Sequence, residues 1–141
     1  MVRCIGWQHE LPAVYAGLDI VCVTSRNEGT PVALIEAMAA GRAVIGTAVG
    51  GVPDLLEDAP GPIPNGGTRI TDRGVLVNAG DADGVAGAMV LLASDPALRE
   101  RLGRAARAHV LERYSHERLV RDLARLYQEL LDDGSSPRGM V

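Results

Sequence analysis

Apolar residues in this chain fall into short β-branched runs that alternate with stretches spaced at three and four. The run at residues 2–5, closed by Gly6, reads as a strand. Leu11, Val14, Tyr15 and Leu18 then recur at helical spacing and predict a short helix over 11–18. Residues 19–24, D-I-V-C-V-T, are continuously apolar after the first, as expected of a central parallel strand covered on both faces. After a polar break at Ser25, Arg26 and Asn27, Thr30 supplies an N-cap and Pro31 a first helical residue. That helix runs to Ala40, and Gly41 closes it.

The alternation continues. Ala43–Thr47 reads as a strand, Gly50-Gly51 as a tight turn, and Pro53 opens a short helix. Residues 58–73 hold several prolines and glycines with little periodicity and read as a long surface loop before a strand at 74–78. From Asp81 onward the pattern is helical: 82–93, then 96–113 opened by Ser94-Asp95, then 115–131 with Leu119, Leu123, Leu126 and Leu130 on one side. The segment 134–141 is expected to be a disordered tail. Strand–helix alternation of this length predicts an α/β fold, an open, doubly wound parallel sheet of Rossmann-like type followed by C-terminal helices.

Composition narrows the function. The 141 residues are 47% hydrophobic, with no Phe, and Ala, Val and Leu carry the apolar load, which suits helices packed closely on a sheet of small side chains. A net charge of −4 offers no overall positive field to collect nucleic acid. All 14 basic residues are Arg, so lysine chemistry such as a Schiff base or a P-loop lysine is excluded. Cys4 and Cys22 lie in apolar runs and read as buried reduced thiols. His9, His109 and His116 are scattered without ligand spacing, so no metal and no cofactor is expected. No leader and no membrane-length apolar run is read at either end, which implies a cytoplasmic protein.

Candidate chemistry concentrates where the second strand meets its helix. Ligands of open α/β sheets bind outside the carboxyl ends of the strands, and Ser25 to Pro31 is such a loop. Backbone N–H groups of Gly29, Thr30 and Val32 surround the helix start, where uncapped donors and the helix dipole favour a phosphate or diphosphate. Gly29 permits close approach to the backbone. A carboxylate accepts two hydrogen bonds from a cis-diol, a role open to Glu36, while Glu28 is placed to accept from sugar hydroxyls. Each Glu taken alone also fits a plainer role, Glu28 as a dipole partner and Glu36 as a solvated helix residue. Gly50 and Gly51 end the next strand and would line the same crevice. Trp7 is read as a packing residue outside the site.

The stretch T-S-R-N-E-G-T-P-V-A-L-I-E-A-M-A-A-G-R-A-V-I-G-T-A-V-G-G-V-P-D-L-L resembles the donor-binding half of retaining GT-B glycosyltransferases of the glycogen-synthase-like group, family 4. Its E-x7-E spacing, Glu28 to Glu36, matches in full, and similarity extends from G-W-Q-H-E-L through G-V-L-V-N-A-G-D to L-R-E-R-L-G-R-A-A-R. The resemblance implies that Glu36 binds the ribose hydroxyls, that Glu28 is the catalytic-site carboxylate facing the transferred sugar, and that Gly29, Thr30, Pro31 and Val32 bind donor sugar and phosphate.

It also implies a substrate, a nucleotide-diphosphate sugar, and a missing partner, an N-terminal domain that binds the acceptor. Residues 1–133 would be the C-terminal part of the donor domain. The Arg–Lys pair that clamps the diphosphate in such enzymes would lie upstream, so the isolated chain is expected to be nearly inactive. The full-length parent could work at a membrane surface. In such relatives transfer is same-face, assisted by the donor's own phosphate, so stabilising the leaving group dominates the barrier.

Alternatives from other classes are a non-catalytic nucleotide-sugar-binding module and a nucleotide-sugar epimerase of GT-B fold. A response-regulator-like domain would need a Lys that the chain lacks. Arg69 and Arg73 read as exposed loop arginines. The leucine face of the last helix is wide enough to require cover, which predicts self-association of the isolated chain.

Overall fold

In the computed structural model, which describes residues 2–59, 61–63 and 67–134, one four-stranded sheet runs in the order β1-β2-β4-β3. Its strands are β1 (Ile20–Val23), β2 (Ala43–Thr47), β3 (Thr68–Ile70) and β4 (Val75–Val77). The first three in spatial order are parallel, pairing Ile20 with Ala43 and Ile45 with Val75, whereas β3 lies antiparallel on β4, with Thr68 opposite Val77. The helices are α1 (Leu11–Ala16), α2 (Val32–Ala39), α3 (Val52–Leu56), α4 (Ala82–Ser94), α5 (Pro96–Arg113) and α6 (His116–Gly134).

The two-residue period of the strands sorts their side chains into two cores. Val44 and Leu76 point to the face covered by Leu34, Ala37 and Met38 of α2 and by Val52, Leu55 and Leu56 of α3. Ala43, Ile45, Val75 and Val77 point to the other face, against Ala88 and Leu92 of α4. Each fully buried Leu or Ile contributes roughly 1.5–3 kcal/mol relative to exposure. Helix α5 serves both layers: Leu98 and Leu102 pack with the α4 side, Ala106 and Val110 with the α2 side. At the change-over sits buried Gly103, where a Cβ would fall 3.1 Å from the Gly41 carbonyl carbon and closer still to its oxygen. Only a glycine lets the helix cross there.

Helix ends follow local chemistry. Asp81 accepts from the Gly84 N–H at 2.8 Å and opens α4; Asp95 accepts from Leu98 N–H at 2.9 Å, with Pro96 behind it, and opens α5. Ser94, read together with Asp95 as the opener, is instead the last residue of α4.

Several expectations are corrected. Residues 2–5 form no strand: Val2 is 94% exposed, and among the described residues no strand pairs with them to take their backbone hydrogen bonds. Cys4 is therefore exposed, while Cys22 is half-buried and its thiol is pushed up by that burial. Strand β1 is at the edge of the described sheet, not its centre, and all four of its residues are only partly buried. The long loop contains β3, because Thr68–Ile70 finds the free edge of β4 and folds back on it. Helix α2 begins one residue later than the proline suggests. Pro31 is its N-cap, without a side-chain cap bond, and Thr30 stays outside. Gly134 ends α6, and the rest of the expected tail lies outside the described residues.

Candidate functional site

The carboxyl ends of β1 and β2 carry two loops that are bound to each other. Thr47, buried at the end of β2, donates from Oγ1 to the Ser25 carbonyl at 2.6 Å, and Gly51 N–H donates to the Gly29 carbonyl at 3.0 Å. Gly50, at φ +52°, lies against the Glu28 backbone so closely that a Cβ would overlap its carbonyl group. The sequence motif at 28–32 and the glycine pair at 50–51 thus form one surface. A Cβ on Gly51 would lie 2.7 Å from the Gly29 oxygen, so this glycine too is required by contact.

Within that surface Ser25 Oγ donates to Glu28 Oε1 at 2.5 Å and fixes the half-buried carboxylate beside the loop. Gly29 and Thr30 are exposed, and nothing lies within 4 Å of where a Gly29 Cβ would be. The backbone there is open to a ligand. Because Pro31 supplies no cap, the first N–H groups of α2 lack a side-chain partner, and the positive end of the helix faces the loop.

Glu36 occupies a separate position. It points from α2 into a cavity of about 480 Å³ lined by Leu11, Pro12, Tyr15, Ala16, Ala39 and Ala40. Tyr15 OH donates to its Oε2 at 3.0 Å. The tyrosine's phenol is held above its ordinary range, first by burial, then by the hydrogen bond to Glu36 and the carboxylate's charge. The structure therefore brings Glu28, Gly29, Gly50 and Gly51 together and leaves Glu36 about a turn and a half further along, with Tyr15 as its hydrogen-bond partner.

Three side chains that the sequence pattern did not single out complete the arrangement. Thr47 and Ser25 carry a relay from the sheet to Glu28, and Tyr15 grips Glu36. The polar break at Ser25 was the visible signal for one of them. Tyr15 read as a helix-packing position, and Thr47 as a strand residue.

The loop arginines have another use. Arg73 is 5% exposed, donates to the Leu55 carbonyl at 3.0 Å and pairs with Asp58 at 2.8 Å. Arg69 pairs with buried Glu57. Both fasten the β3 excursion to the end of α3, and the reading as exposed loop arginine is overturned. Among the described residues no three His, Cys, Asp or Glu side chains converge as a metal site would require.

A mostly parallel four-stranded sheet with helices on both faces, carrying a glycine-bearing double loop and a carboxylate at its strand ends, is an open α/β fold whose strand-end loops form the candidate site. The family described as glycosyl transferases group 1 matches residues 1–95, and the chain belongs to that family. N-acetyl-alpha-D-glucosaminyl L-malate synthase of Bacillus anthracis is 31% identical over 132 residues, covering 94% of this chain and 32% of that protein. The D-inositol 3-phosphate glycosyltransferase of Salinispora tropica is 34% identical over 120 residues, 85% of this chain and 22% of its own length. Sucrose-phosphate synthase from Thermosynechococcus elongatus superposes with a TM-score of 0.74 at 31% identity, covering 90% of this chain and 29% of that one. Anabaena HepE, solved in complex with UDP-glucose, shares the fold with a TM-score of 0.74 at 21% identity. The chain thus spans a third or less of the length of these relatives. By family it is a glycosyltransferase segment of GT-B fold.

Proposed function

We propose that residues 1–133 are the C-terminal part of a donor-binding domain that holds a nucleotide-diphosphate sugar for retaining transfer to an acceptor bound by a domain outside this chain. The observation that carries this reading is the joining of the Glu28–Gly29 loop to Gly50-Gly51 at the carboxyl ends of adjacent parallel strands. A diphosphate fits the open amides of Gly29, Thr30 and Val32 at the α2 N-terminus. Glu36 takes the ribose diol, and Glu28, held by Ser25, accepts from the hydroxyls of the transferred sugar. Pro31, by fixing φ at the helix entry, keeps those amides oriented. Glycosyltransferase relatives, and a structural neighbour whose complex contains UDP-glucose, support a sugar nucleotide as the ligand.

The chemistry asked of this segment is electrostatic. As the sugar–phosphate bond breaks, negative charge grows on the diphosphate, and the loop amides and helix dipole stabilise it. No lysine is available here to complete a cationic clamp. The chain alone therefore binds nucleotide and transfers sugar negligibly.

Calorimetric titration with UDP, GDP and ADP tests the reading. At least one should bind, and Glu36→Ala should weaken it about tenfold or more, the scale of a lost charged hydrogen bond. Absence of binding by the unsubstituted chain would sink it, and so would sugar transfer at the rate of intact relatives.

A further inference from the structure

The strongest unassigned polar contact at the site is that between Tyr15 and Glu36. Helix α1 is only six residues long and has no fully buried residue. Its half-buried Tyr15 packs against the α2-side core and sends its hydroxyl to Glu36 Oε2 at 3.0 Å. The terminal torsion of a glutamate is broad and nearly two-fold, so a lone Glu36 carboxylate on an open cavity would rotate freely. One donor on Oε2 fixes its plane. Oε1 is then left free toward the cavity lined by Leu11, Pro12 and Ala39, and Oε2 keeps a second lone pair.

We propose that Tyr15 is a positioning residue for donor recognition: its hydroxyl sets the orientation in which Glu36 receives the two ribose hydroxyls. The inference rests on the nucleotide-binding reading above and adds to it a side chain from a different helix. Its physical content is pre-organisation, since a carboxylate already held in its binding orientation loses less freedom when the diol arrives. The hydroxyl does not touch the ligand. It acts through Glu36.

The test compares Tyr15→Phe with the unsubstituted chain in titrations of UDP, GDP and ADP and of their 2′,3′-dideoxy counterparts. Tyr15→Phe keeps the ring and its packing and removes only the donor. Affinity for the ribonucleotide that binds should fall about 3- to 10-fold, the worth of one hydrogen bond. Affinity for its dideoxy counterpart should not change, and the loss should vanish in a Glu36→Ala background. An equal loss for both nucleotides would mean that the ring hydroxyl serves only to hold α1, and the proposal would fail. Unchanged ribonucleotide affinity in Tyr15→Phe would overturn it while leaving the nucleotide-binding reading intact. No binding of any nucleotide by the unsubstituted chain would overturn both.

Discussion

Gly50 packs on the backbone of Glu28, in a left-handed conformation and at a distance that admits no side chain. Gly50→Ala therefore meets two penalties at once. The left-handed backbone costs an L-residue about 1–2 kcal/mol, and the new methyl pushes the Glu28 loop away from β2. The variant should unfold at lower denaturant and lose nucleotide affinity. Gly29→Ala is the contrasting case, because its methyl enters open space. Stability should stay within about 0.5 kcal/mol while nucleotide affinity drops. Equal effects of the two changes on stability would contradict the packing described.

Two helical glycines should respond with opposite sign. Gly87 is exposed on α4, and its Cβ would meet only Thr68 Cγ2 at 4.0 Å, an ordinary contact. Gly87→Ala should stabilise by about 0.5–1 kcal/mol through helix propensity. At Gly103 the same gain is available, yet the methyl would enter the Gly41 carbonyl. Steric displacement of α5 wins, and thermal melts should rank Gly87→Ala above the unsubstituted chain and Gly103→Ala below it.

Removing one partner of a buried pair leaves the other without its counter-charge. Glu57 is 5% exposed and pairs with Arg69. Glu57→Ala should cost about 3 kcal/mol in urea denaturation and free β3 from the end of α3. Nucleotide affinity, which depends on the loops at 25–32 and 47–51, should change little. A strong loss of affinity at unchanged stability would instead tie this pair to the site.

His109 is held below the ordinary histidine range by burial first, and then by the charges of Arg73 and Arg113, against the opposing pull of Asp58 and Glu112. A lowered folded value means that the folded state favours neutral imidazole. Its contribution to stability is then present above the unfolded value of about 6.5 and is lost as pH falls through the folded one. Stability curves of the unsubstituted chain and His109→Asn should diverge below that pH, with the histidine form losing more. Its ring resonances should titrate below the ordinary histidine range.

Helix α6 carries Leu119, Leu123, Leu126 and Leu130 on one face, each 44–59% exposed. Light scattering at high micromolar concentration should report a species larger than the monomer, since so much apolar surface drives association. Changing the four leucines to Gln should return a monomer without altering the melting of the α/β core.

The central features of the fold were readable because they depend on local periodicity. Residues 43–47 and 75–77 are short β-branched runs between turn signals, and α4 and α5 announce themselves with Asp81, Asp95 and Pro96. What escaped depends on partners distant in sequence. β3 exists only because the edge of β4 is free, and Arg69 and Arg73 look like loop residues until Glu57 and Asp58 arrive beside them. The run at 2–5 has strand composition but pairs with no strand among the described residues. At the site, the Glu28–Glu36 spacing and the glycine pair were visible as a pattern. The holders of the two carboxylates, Ser25 and Tyr15, were not, since a hydroxyl three residues away and a phenol twenty-one residues away carry no periodic signal.

The passage of α5 from one face of the sheet to the other ties the two cores into one folding unit. Loosening this helix takes Leu98 and Leu102 from one core and Ala106 and Val110 from the other in the same event. Neither layer has a way to open alone. Amide hydrogens of β2 and β4 should exchange only with the global transition, at a common rate set by α5, while those of α6 exchange orders of magnitude faster.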